Sequence, residues 1–127
     1  MAVLRFSPKA PLLTLETKIY GRRNFVTAVL VLDTGSTFSM ISTEIAEFLG
    51  LTVNPRRTVE ILTVSRSENI PLVIVPKISF LDLEVEDVAC LVKDLPDAES
   101  GRGLLGLSFL KNLELKINFR RGILEIN

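Results

Sequence analysis

The sequence predicts a mainly β domain, a closed or orthogonally packed β-barrel carrying one or two short helices. Short apolar stretches with alternating or β-branched character recur along the chain, each closed by a turn signal. Helical signals are confined to two brief segments, and no internal repeat or low-complexity tract divides the 127 residues. That length accommodates one domain, taken as 1–127, with residues 1–11 as an N-terminal extension.

Leu13 to Tyr20 alternates, with Leu13, Leu15, Thr17 and Ile19 on one face and Thr14, Glu16, Lys18 and Tyr20 on the other. This is the pattern of a half-buried strand. Gly21 to Asn24 supplies a turn, and Phe25 to Leu32 returns as a second strand whose end is apolar on both faces. A short strand is expected around Phe38 to Ile41. Ser42 or Thr43 then caps a two-turn helix that ends at Leu49, with Gly50 just past it. Thr58 to Val64 and Ile70 to Val75 flank a polar tip, Ser65 to Asn69, and form a long hairpin over about 57–75. Pro76 is read as an interruption, followed by strands Lys77 to Phe80 and Leu83 to Val92 around a turn near Leu81-Asp82. Lys93 to Gly103 reads as a loop. Ser108 is expected to cap a short helix from Phe109 to Asn112, and strands Leu113 to Asn118 and Ile123 to Ile126 close the chain around a turn at Arg120 to Gly122.

Composition removes several function classes. Lys and Arg number 15 and Asp and Glu number 15, so no net charge steers the chain to nucleic acid or an anionic membrane. The pairs Arg22-Arg23, Arg56-Arg57 and Arg120-Arg121 each adjoin a turn signal and read as solvated loop charges. No apolar run approaches the roughly 18 residues that span a bilayer. The N-terminal order of residues does not match a signal peptide, which makes the cytoplasm the expected compartment. There is no histidine and one cysteine, so Ser-His-Asp and Cys-His catalysis and His- or thiolate-based zinc sites are excluded within the chain. Neither a Gly-Lys-Ser/Thr phosphate loop nor a G-x-G-x-x-G fingerprint occurs. No cofactor or metal is expected. Cys90 lies in the apolar run VACLV and reads as a buried structural thiol.

Against that background one carboxylate stands out. Asp33-Thr34-Gly35-Ser36 follows directly on the apolar strand Val29 to Leu32, where a lone charge in a partly desolvated setting is costly. On residues alone this is either an Asx-type turn or a site of chemistry. About seventy residues later comes Leu104-Leu105-Gly106-Leu107-Ser108-Phe109-Leu110.

Together these resemble the active-site loop of aspartic proteases and the apolar-apolar-glycine segment that lies behind it in the retroviral type. The resemblance runs from about Leu12 to Phe119 and matches the single-domain, retropepsin-like proteins of cellular organisms. It implies an acid-protease barrel in which the 57–75 hairpin is the flap, with Ser65, Arg66 and Ser67 at its tip toward substrate. It also implies an aspartic endopeptidase that acts on a polypeptide. Hydrolysis by carboxylates needs two of them sharing a proton, and this chain carries one such aspartate, so a homodimer must supply the second. Asp33 then carries the proton chemistry, Gly35 offers an N–H to the carboxylate, Ser36 can bond its outer oxygen, and Thr34 corresponds to the threonine that bonds across the dimer axis. Leu104, Leu105 and Gly106 form the segment behind the loop.

Apolar candidates for substrate pockets are Leu32, Val64, Ile70 and Leu105, each of which suits plain core better, because barrel interiors demand such residues at alternating positions. The tip departs from the family in having charges and no glycine. The extension past Phe119 means that the terminal strands need not make the interdigitated viral dimer interface. Two other readings remain on these residues: a catalytically weak or inactive dimerisation and peptide-binding module, and a purely structural β domain.

Overall fold

A computed structural model describes residues 1–95 and 103–127. Among the described residues ten strands and two helices follow one another as β1 (Ala2–Arg5), β2 (Thr14–Tyr20), β3 (Phe25–Leu32), β4 (Ser39–Ile41), α1 (Thr43–Phe48), β5 (Thr58–Leu62), β6 (Ser67–Phe80), β7 (Leu83–Val92), β8 (Gly103–Leu105), α2 (Leu107–Leu110), β9 (Leu115–Asn118) and β10 (Ile123–Ile126). Seven strands form one sheet in the order β2-β3-β8-β4-β7-β6-β5, and a further β2–β6 pairing closes six of them into a barrel. Of the expected loop over 93–103, residues 96–102 lie outside the described residues.

The alternation in β2 does what its pattern predicts. Leu15, Thr17 and Ile19 are buried, and the one polar member, Thr17, is satisfied by donating its hydroxyl to Ala28 O at 2.8 Å. Helix α1 starts at the cap read from the sequence, with Ser42 Oγ accepting from Ile45 N–H at 3.2 Å. Cys90 is fully buried, and burial pushes its thiol up to about 12.

Three expectations change. Residues 1–11 are more than an extension, because β1 pairs antiparallel with β10 in a second sheet of order β1-β10-β9. Ala2, Leu124 and Ile126 bring that sheet into the same apolar cluster as the barrel. Next, Pro76 does not end a strand: β6 runs continuously from Ser67 to Phe80. The β6–β7 ladder passes from Val75↔Val88 to Lys77↔Glu86, so the residue without an N–H is left out of the ladder, opposite Asp87 with its left-handed φ of 53°. Past this corner β6 takes β2 as its other neighbour, from Lys77↔Tyr20 onward. Last, α2 spans Leu107–Leu110, two residues earlier than Phe109 to Asn112, because Gly106 and not Ser108 occupies the N-cap.

Candidate active site

The end of β3 meets an unusual crossing. Val31 and Leu32 pair in parallel with Leu104 and Leu105 of β8, while Met40 and Ile41 of β4 pair antiparallel with the other side of β8. The chain therefore leaves β3, loops through residues 33–38 and returns as β4 with a third strand inserted between. No ladder ties β3 to β4, so the loop projects from the sheet at the fork with Asp33 at its root.

Local hydrogen bonds hold that carboxylate. Asp33 N–H donates to Leu105 O at 2.9 Å, which fastens the residue to the inserted strand. Gly35 N–H donates to Asp33 Oδ1 at 2.9 Å, and Ser36 N–H donates to Asp33 O at 3.3 Å. The Asx-type turn is present and orients the carboxylate, so the turn reading and the reading of a chemical site are compatible. Asp33 is half-buried, and its Oδ2 has no hydrogen-bond partner among the described residues. Thr34 is exposed beside it.

Ser36 behaves differently from expectation. Its hydroxyl donates to Phe38 O at 2.8 Å, so its single proton is committed to the loop's own backbone rather than to the carboxylate.

A second layer locks the loop from behind. Leu107 N–H donates to Ser36 O at 2.8 Å and Ser108 N–H to Thr37 O at 3.0 Å. Gly106 sits so close that a Cβ there would meet the backbone oxygens of Phe38 and, at 2.6 Å, of Ser36. Ser39 is fully buried: its N–H donates to Ser108 Oγ at 2.8 Å, and its Oγ accepts from Gly106 N–H at 3.0 Å and from Ser108 Oγ at 2.9 Å. Sequence reasoning placed Leu104, Leu105 and Gly106 here and missed the Ser39–Ser108 pair. The available signal was one small polar residue inside the otherwise apolar Phe38 to Ile41 strand. Leu105 and Phe109, both with no exposed surface, form the apolar floor under this layer.

The long hairpin is present, with a shorter tip than expected. Thr63 N–H donates to Arg66 O at 2.8 Å and Thr63 Oγ1 to the same oxygen at 2.9 Å, so Val64 and Ser65 form the turn. Ser67 pairs with Leu62, Glu68 with Ile61 and Asn69 with Glu60, which moves these residues from the tip into β6. A polar run reads as loop when both of its faces meet water, and an edge hairpin standing off the core produces that composition. Ser65 and Arg66 remain in the turn. Glu68 reaches back to the barrel, where Lys93 Nζ donates to its Oε2 at 2.7 Å. That hydrogen bond holds the Glu68 carboxyl below the usual glutamate range. Of the four pocket candidates, Ile70 and Leu105 are buried core, Leu32 is half-buried, and Val64 stands fully exposed at the tip.

Comparison with known proteins agrees with this architecture. The family model described as aspartyl protease matches residues 16–109, a span that contains the Asp33 loop, the hairpin and the β8–α2 segment. Among solved structures the chain is similar to a retropepsin-like aspartic protease from Rickettsia conorii, with 19% identity and a TM-score of 0.69, over 99% of this chain and 97% of the other. No curated protein gives a significant match. The strand crossing, the aspartate at its root and the family match over most of the barrel lead to one conclusion: the chain belongs to the aspartyl protease family and has the retropepsin-like fold.

Proposed function

We propose that the protein is an aspartic endopeptidase that works as a homodimer, with Asp33 of each protomer meeting across a two-fold axis. The observation that carries the reading is the geometry of Asp33, held through Oδ1 by Gly35 and through its backbone by Leu105, with Oδ2 left without a partner among the described residues. Two such carboxylates brought together cannot both ionise, so they share one proton. One then takes a proton from an attacking water while the other donates to the oxygen of the scissile carbonyl. Thr34 is exposed, which suits the bond across the axis that this reading assigns to it.

The substrate is an extended polypeptide lying under the flap as an added strand. Leu62 and Val64, 76% and 110% exposed on the hairpin arm and tip, support this reading as apolar surface that a bound chain or a second protomer would cover. A peptide containing statine, which mimics the tetrahedral intermediate, is expected to inhibit cleavage, with activity highest at mildly acidic pH where the dyad holds one proton. Extended peptides bound equally by the parent and by Asp33→Asn, with no turnover in either, would replace this reading with that of a binding module.

A further inference from the structure

A concavity among the described residues lies away from Asp33. A groove of about 930 Å³ opens between the β2–β3 turn, the segment after α1 and the root of the β5–β6 hairpin. Asn24 and Asp33 stand at opposite ends of β3, eight residues long, which separates the groove from the carboxylate by roughly 25 Å at strand rise. Its walls are built. Asn24 Nδ2 donates to Phe48 O at 2.8 Å, so the turn is tied to the end of α1. On the other side Leu72 N–H donates to Arg57 O at 2.8 Å.

The charge of this groove is one-sided in a chain with no net charge. Arg22, Arg23 and Arg57 line it, none of them in an ion pair among the described residues, and Asp87 is the single carboxylate beside them. Leu51, Leu72 and Val73 supply an apolar floor. Arginines that the sequence alone presents as separate solvated charges are thus gathered around one cleft. Three guanidinium forks over apolar surface suit carboxylates spaced by apolar side chains.

We propose that this groove docks an acidic segment of the polypeptide substrate, with apolar residues interspersed, at a distance from the bond to be cut; the assignment to the substrate rests on the endopeptidase reading. The groove lies at the root of the same hairpin that would cover the substrate, so a chain leaving the cleft along that hairpin reaches it. An extended segment spans the separation in about eight residues.

The test has two arms. In the first, a fluorescein-labelled decapeptide of alternating Glu and Leu is titrated into Asp33→Asn protein, with anisotropy as the readout. Binding is expected to weaken about tenfold in the Arg22→Gln/Arg23→Gln/Arg57→Gln background or when the peptide's Glu are replaced by Gln, and to weaken further as salt is raised. Equal binding by the arginine variant, no binding at all, or tighter binding of an oligothymidylate of equal charge would overturn the site. In the second arm, the parent protein cleaves a peptide carrying the acidic segment about eight residues from the cut. KM is expected to be about tenfold below that of its Gln counterpart, with kcat unchanged and the difference abolished by the three substitutions. Acidic-peptide binding without any KM difference overturns the assignment to substrate. Binding with no cleavage of either peptide overturns the endopeptidase reading, and the substrate assignment with it, separately from the site.

Discussion

Replacing Ser39 by alanine isolates the layer that holds the Asp33 loop. The side chain has no exposed surface, and its Oγ is the acceptor for Gly106 N–H at 3.0 Å and for the Ser108 hydroxyl at 2.9 Å. The substitution leaves the Gly106 N–H buried without a partner, at a cost of about 1–3 kcal/mol. Ser108 is part-buried and keeps its role as acceptor for Ser39 N–H, so its freed proton adds less than about 1 kcal/mol. The sum spans about 1–4 kcal/mol and centres on about 2–3 kcal/mol, a large fraction of the stability of a domain of this size. With a urea slope of about 1–3 kcal/mol per molar, the midpoint is expected to fall by about 1–2 M at constant protein concentration. Ser36→Ala is the control in the same loop: it removes only a donor to Phe38 O and is expected to cost about 1 kcal/mol. A midpoint for Ser39→Ala equal to that of the parent, or a loss no greater than that of Ser36→Ala, would refute the reasoning.

Three further outcomes follow from the same structure. Gly106→Ala forces a methyl against two backbone oxygens of the Asp33 loop. It should destabilise by about 1–3 kcal/mol, read by urea titration, and reduce any turnover more than Ser36→Ala does; a neutral effect on both would contradict the close approach. The Lys93 hydrogen bond lowers the Glu68 carboxyl, so what the pair contributes is present at and above the usual glutamate range and is lost as pH falls through the lowered value. Lys93→Met should therefore speed amide exchange across β5–β6 at neutral pH, with no difference from the parent in strong acid; a difference of equal size at both pH values would count against the latch. Cys90, buried with its thiol near 12, should react with a thiol reagent only as fast as the protein unfolds, and prompt labelling of the native protein would show the barrel to be packed otherwise.

Much of the candidate site was legible because its signals are local. Asp33 to Ser36 occupy consecutive positions, and the cap at Ser42 sits three residues from the N–H that it accepts. The hairpin between Thr58 and Val75 declares itself by two apolar runs around a polar one. What escaped notice depends on partners distant in sequence. Ser39 and Ser108 are 69 residues apart, and neither serine's surroundings name the other. β1 looks like a loose terminus until β10 lies beside it, since four residues carry too little pattern to identify a strand. Pro76 reads as a break because it lacks an N–H, yet a strand that changes neighbours at a corner has a position where no N–H is needed. The grouping of Arg22, Arg23 and Arg57 likewise exists only once the β2–β3 turn and the hairpin root are folded together.

In the proposed homodimer two copies of Asp33 make one active centre. Asparagine keeps the acceptor that Gly35 N–H uses and removes only the ionisable group, so Asp33→Asn should fold with unchanged stability. The decisive measurement incubates parent and Asp33→Asn proteins with a denatured protein from acidic to neutral pH, with sedimentation of both alongside. Dimers are expected in both cases and fragments from the parent alone, most at mildly acidic pH; full cleavage by Asp33→Asn, or cleavage by a parent that sediments as a monomer, would contradict a dyad shared between two chains.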